Sequence, residues 1–284
     1  MPRRLVVLFL LAALPAVAQP DPALLERGRY LGEVVAACGA CHDSFGPGMQ
    51  PRPGMALAGG RVFAERGFRA VAPNITQDHE TGIGGWTDAA IAAAIRDGHR
   101  PDGSAIGPPM PVESYRGISD RDLAALVAWL RTVPPVRHAV AERSRYPFVP
   151  VAPGPPVGAV PDPPEGDAVA RGRYIAVNLA HCMDCHSAQL AEGRTDPEGR
   201  GARGLVLEGP WGTVQAANIS SHPVQGIGGW TDEQVLAAIT RGVSADGRRL
   251  APPMGARAPV WARMEPADLR AILAYLRALP PQER

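Results

Sequence analysis

Cysteine is scarce in this sequence. The chain has 284 residues but only four cysteines, and none lies outside two Cys-x-x-Cys-His segments, Cys38–His42 and Cys182–His186. No thiol is left to anchor a lipid behind a leader, or to complete a zinc site that would need ligands beyond each motif. An excess of either charge is missing as well. Twenty-nine Lys and Arg face 28 Asp and Glu, a formal charge of +1, which excludes the basic footprint of a nucleic-acid binder. Beyond the first residues no apolar stretch is long enough to span a bilayer, so no stable transmembrane segment is expected in the mature chain. The glycine-rich turns at 82–85 and 226–229 lack the spacing and strand context of dinucleotide or phosphate loops.

The N-terminus has the pattern of a secretory leader. Arg3 and Arg4 precede an apolar core from Leu5 to Leu14, and Ala16-Val17-Ala18 is a small-x-small cleavage site. Residues 1–18 are therefore expected to be a signal peptide, cut before Gln19, with the mature chain in the periplasm, soluble or peripherally associated with the membrane. An uncleaved anchor is the competing reading, but the run is short and Pro15 ends it. Without Arg3 and Arg4 the chain carries 27 basic and 28 acidic residues. Export normally makes an even cysteine count look like disulfides. Here both pairs share one spacing and both are followed at once by histidine, a pattern that signals covalent c-type haem attachment. Two covalently attached haem c groups are expected, on Cys38 and Cys41 and on Cys182 and Cys185, with His42 and His186 as proximal iron ligands. The second ring nitrogen of each histidine should donate to a backbone carbonyl.

The chain repeats itself at an offset of 144. Gly28-Arg29-Tyr30 returns as Gly172-Arg173-Tyr174, Asn74-Ile75-Thr76 as Asn218-Ile219-Ser220, the Gly82–Asp88 segment as Gly226–Asp232, and Pro108-Pro109-Met110 as Pro252-Pro253-Met254. The register slips by two near the end, where Asp122-Leu123 matches Asp268-Leu269. Such self-similarity points to two similar domains, expected at 19–146 and 165–284. The joint at 147–164 holds eight prolines and almost no charge, an extended connector expected to lie against the domains. Met110 and Met254 are the candidate distal ligands, because they recur together with the haem motifs and each follows a proline pair that restricts the backbone. Met49, Met55, Met183 and Met264 have no repeat partner, nor do His79, His99, His138, His181 and His222. Asn74, Asn218, Trp86 and Trp230 are candidate pocket residues, with loop hydrogen bonding and helix stapling as their ordinary alternatives.

Helical spacing predicts an all-α fold. First helices are expected at Pro22–Ala37 and Glu165–Leu179, each leading into a haem motif. Second helices should be capped by Thr87 and by Thr231, the latter in a capping box with Gln234. Last helices are expected at Asp120–Arg131 and Pro266–Leu279. Gly28 and Gly172 would let first and last helices cross closely. Trp129 and Tyr275 are expected to be packing residues, as is Trp211.

These motifs resemble those of the multi-haem cytochrome c subunits of bacterial periplasmic dehydrogenases, such as those serving alcohol, gluconate, sorbitol or fructose dehydrogenases. The resemblance implies two tandem class I cytochrome c domains related by internal duplication. It implies His42 and Met110 on one iron, His186 and Met254 on the other, and electron transfer from a periplasmic dehydrogenase to a cytochrome, an oxidase or another respiratory acceptor. His/Met ligation fills both axial positions, which favours a non-catalytic carrier or dehydrogenase subunit. The alternatives are a dihaem redox enzyme, such as a peroxidase or a sulfur-compound dehydrogenase, and a haem-bearing structural or sensory module.

Overall fold

In the computed structural model, which describes residues 21–65, 67–189, 195–209 and 211–283, the first helix starts where the Asp21 carboxylate accepts the Ala23 N–H at 2.9 Å and Pro22 fills the first turn. The leader expected at 1–18 lies outside the described residues. Helix α1 (Pro22–Tyr30) does not run on as a regular helix to Ala37. It widens into a π-helical turn, Leu31–Val35, and ends at Ala37, whose φ is +50°. Its counterpart does the same: α6 (Ala168–Arg173) starts later than the expected Glu165, behind its Asp167 cap, and passes into a π-helical turn at Tyr174–Leu179. There His181, 144 positions after Ala37, has φ +44°. A left-handed conformation costs a residue with a Cβ about 1–2 kcal/mol. At both places it turns the chain sharply into the short thiol helices α2 (Gly39–His42) and α7 (Cys182–Cys185).

The remaining helices are α3 (Asp88–Arg96), α4 (Val112–Tyr115), α5 (Asp120–Arg131), α8 (Asp232–Arg241), α9 (Met254–Trp261) and α10 (Pro266–Ala278). Thr87 caps α3 by accepting the Ala90 N–H, and the Thr231–Gln234 capping box on α8 is complete. The fold is mainly helical, but an all-α description omits three antiparallel hairpins: β1 (Val62–Glu65) with β2 (Phe68–Val71), β3 (Ser187–Gln189) with β4 (Thr195–Arg200), and β5 (Val206–Gly209) with β6 (Gly212–Gln215). Each is a two-stranded unit too short to show a clear period-two pattern in sequence.

Helix α1 packs on α5, and α6 on α10, at glycine. A Cβ on Gly28 would run into the Ala125 carbonyl and lie 2.8 Å from the Trp129 Cβ; one on Gly172 would run into the Ala271 carbonyl and lie 2.9 Å from the Tyr275 Cβ. Trp129 and Tyr275 are buried beside these crossings, as expected of packing residues.

The apolar core is continuous across both halves, joining Leu31, Val35, Ile118 and Leu126 to Ile175, Leu179, Ile272 and Leu276. Two buried carboxylates cross-link it. Asp122 accepts two bonds from Arg27, both 2.8 Å, and one of 2.8 Å from the Tyr174 hydroxyl in the other half. Asp268 accepts from Arg171 at 2.7 Å and from the Tyr30 hydroxyl at 2.8 Å. Each aspartate lies in the first turn of α5 or α10, where the helix dipole favours negative charge. Burial opposes the Arg27 charge, but the Asp122 pairing outweighs it and holds the guanidinium above its ordinary pKa. Burial raises both tyrosine pKa values, and the neighbouring carboxylates add to that.

The proline-rich segment 147–164 lies along the first half. The chain leading into it hydrogen-bonds β2 through Arg145 and Arg69, and the Tyr146 hydroxyl donates to the Pro108 carbonyl at 2.8 Å. Farther on, Arg116 donates to the Pro155 carbonyl at 2.8 Å, and the Val157 N–H donates to the Asp97 carboxylate at 2.8 Å. Among the described residues no helix is long and apolar enough to cross a membrane.

Candidate haem-attachment sites

Each thiol helix brings two cysteines three residues apart onto one turn, with the histidine next in line. No disulfide links the four cysteines. The motif turn closes on itself, with the His42 N–H on the Cys38 carbonyl at 2.9 Å and the His186 N–H on the Cys182 carbonyl at 3.0 Å.

The carbonyls that hold the histidine rings are Pro73 and Ala217, themselves 144 apart. The His42 Nδ1 is 3.0 Å from the Pro73 oxygen and the His186 Nδ1 is 2.8 Å from the Ala217 oxygen. A carbonyl can only accept, so Nδ1 carries the proton and Nε2 keeps its lone pair for a metal. Burial lowers the pKa of both imidazoles, and the carbonyl bonds only partly oppose it. A neutral ring in this tautomer is the ligating form.

Met110 and Met254 follow equivalent cis Pro-Pro bonds, Pro108–Pro109 and Pro252–Pro253. Both are partly buried against the same apolar cluster as Cys38 and Cys182, and Trp86 and Trp230 line that cluster too. Of the other methionines, Met183 and Met264 are fully buried inside that cluster and Met49 is exposed. The His138 Nδ1 is bonded to the Ala58 carbonyl, and the His222 Nδ1 accepts two backbone N–H groups. Asn74 and Asn218 are committed to loop bonding. Their side-chain oxygens accept the N–H and hydroxyl of Thr76 and of Ser220, and their amides reach the Val136 and Gln282 carbonyls. They tie the ends of the two halves to the loops that carry Pro73 and Ala217.

The segments after the methionines cross to the opposite motif. Tyr115, beyond Met110, packs edge-on against His181 with ring centroids 6.0 Å apart, next to Cys182. Ser114 donates to Asp184, inside the second motif, at 2.5 Å, and Asn178 donates to the Ser114 carbonyl at 2.8 Å. In return Trp261, beyond Met254, donates its indole N–H to the Val35 carbonyl at 3.3 Å, on the turn that leads to Cys38. Burial pushes His181 down to about 3 and Asp184 up to about 6. Sequence reasoning overlooked Tyr115 and Trp261; the available signal was an aromatic residue a few positions after each methionine loop.

This donor set suits haem c. Two thiols and an imidazole share one turn, the imidazole is held in the ligating tautomer, and a thioether packs against the same apolar cluster. A buried Arg257 Nη1, on the helix that begins at Met254, has no hydrogen-bond partner among the described residues. Burial pushes the Cys38 and Cys182 thiols up to about 12, as expected where they face an apolar space.

Comparison with known proteins agrees. Residues 28–134 match the model of the family described as cytochrome c. The "Diheme cytochrome c-type" protein of Cereibacter sphaeroides is 30% identical over 258 residues, covering 87% of this chain and 83% of that protein. A nicotinate dehydrogenase subunit of Pseudomonas putida is 34% identical over 278 residues, covering 93% of this chain. The fructose dehydrogenase cytochrome subunit of Gluconobacter japonicus is 30% identical over 282 residues, covering 94% of it. The chain spans 22% of the length of the Pseudomonas relative and 54% of the Gluconobacter one. With residues 28–134 matching the cytochrome c model and a dihaem relative aligned over most of both lengths, this chain belongs to the cytochrome c family.

Proposed function

We propose that this chain is a periplasmic dihaem cytochrome c that passes electrons from a dehydrogenase to a downstream respiratory acceptor. In this reading, residues 19–146 and 165–284 are tandem domains of one duplicated unit, joined by 147–164. Membership of the cytochrome c family brings electron transfer and covalently bound haem c; the second haem, the ligands, the compartment and the partner are the proposal. The observation that carries it is the repeated histidine support, with His42 on the Pro73 carbonyl and His186 on the Ala217 carbonyl.

When bound, haem c supplies reversible one-electron exchange at iron. The chain supplies the rest. Cys38 and Cys41 anchor the first group and Cys182 and Cys185 the second. His42 and His186 would hold the irons through Nε2, with the thioethers of Met110 and Met254 as their second protein ligands. Were a histidine and a methionine of this chain both to hold each iron, neither site would be left open for peroxide, which favours a carrier over a dihaem enzyme. Trp86 and Trp230 wall the apolar side, and Asn74 and Asn218 brace the loops. A dehydrogenase donor is supported by relatives named as dehydrogenase subunits.

Haem counting and near-infrared absorption of the oxidised protein test this. Two haems per chain are expected, with the methionine-to-iron band falling by about half in Met110→Ala and again in Met254→Ala. One haem per chain, or a band unchanged in both variants, would overturn it.

A further inference from the structure

Arg257 is a cation of the second half placed among groups of both motifs. It lies one turn beyond Met254 on α9, with its guanidinium carbon 5.6 Å from the centre of the Trp261 ring. Trp261 is itself bonded to the Val35 carbonyl, on the turn leading to Cys38. Arg257 therefore lies one turn from Met254 in its own half and stacks on an indole bonded to the turn before Cys38 in the other, while Tyr115 beyond Met110 packs against His181. The first half has no equivalent: position 113, 144 earlier, is an exposed glutamate. Arg257 takes part in no ion pair among the described residues, and its buried Nη1 has no hydrogen-bond partner among them.

Beside the buried Trp261, with its Nη1 shielded from water, such a charge is weakly screened. It opposes the gain of positive charge at iron on oxidation, and so favours the reduced form of any centre it reaches. We propose that Arg257 is a shared tuning residue, a single guanidinium that raises the reduction potentials of both haem centres and links the two electrostatically. The inference rests on the two-haem reading above.

The test is a spectroelectrochemical titration of the mature holoprotein after its haems are counted. Arg257→Gln should lower both midpoints and Arg257→Lys should restore both towards wild type. Arg263→Gln, which removes an exposed cation paired to Glu33 at 3.5 Å just beyond α9, should move neither. If Arg257→Gln fails to mature, Arg257→Met keeps an unbranched stem beside Trp261, removes the charge, and should give the same double fall. Two haems with unmoved midpoints, or a fall in one midpoint alone, would overturn the shared role and leave the functional reading intact. A wild-type chain with one haem would overturn both.

Discussion

Met110 and Met254 follow the same cis proline pair, yet the chain leaves them by different routes. After Met110 it makes the single turn of α4 and is strapped from outside, where Tyr146 bonds the Pro108 carbonyl and rests between Phe68 and Phe148. Met254 instead starts the eight-residue α9, which carries Arg257 and Trp261 inward. The histidine sides, by contrast, match closely, down to the carbonyl that holds each ring. The histidine surroundings thus match and the methionine sides differ, so on the proposed two-haem reading differences between the two centres should originate at the methionine loops. The loops after the thiol motifs also differ: a 3₁₀ turn at Pro47–Met49 in the first half, the β3–β4 hairpin in the second.

The largest expected effect concerns the reciprocal carboxylates. Asp122→Ala should cost about 3–5 kcal/mol, since it strands a buried tyrosine hydroxyl and a guanidinium. Asp268→Ala should cost less, because the Arg171 side chain is 42% exposed against 26% for Arg27. Urea denaturation of both variants measures the gap, and equal losses would erase this asymmetry between the halves.

Gly28→Ala and Gly172→Ala should each destabilise by about 1–3 kcal/mol through overlap with the facing helix. Here the halves should behave alike, so a difference in melting temperature between the two variants would show that one crossing can relax.

Tyr146→Phe removes one hydrogen bond, worth about 1 kcal/mol. Under the proposed ligation it should weaken the Met110 band on warming and leave that of Met254 unchanged. An equal response from both would mean that the strap does not act on the first centre in particular.

The smallest effect is acidic. Hydrogen bonds from Ser104 and Ser244 hold the exposed carboxyls of Asp102 and Asp246, 144 apart, below their ordinary 3.8. A depressed folded pKa stabilises above the unfolded value, and this is lost as pH falls from 3.8 through the folded values. Carboxyl NMR titration should find both midpoints low; one normal midpoint would break the match between these turns.

Much of this was legible in the residues. The thiol motifs, helix caps, glycine crossings and last helices depend on neighbours within a few positions or on a packing period, and both leave marks in sequence. The π-helical turns and the hairpins did not show, because each depends on backbone bonding that several side-chain patterns permit. The Gly-Arg-Tyr and Asp-Leu echoes were visible as repeats, but Tyr30 pairs with Asp268 and Tyr174 with Asp122. Those bonds span 238 and 52 positions, and nothing local distinguishes a tyrosine that bonds within its own half from one that crosses.

The candidate attachment motifs could be read from residue order alone, because thioether formation and histidine ligation need particular atoms at fixed short spacing. Folding in three dimensions was needed to show which carbonyl holds each imidazole, which aromatic residue faces the opposite motif, and where the Arg257 charge falls. Those depend on how the halves bury their shared apolar face, a long-range packing outcome that no short segment encodes.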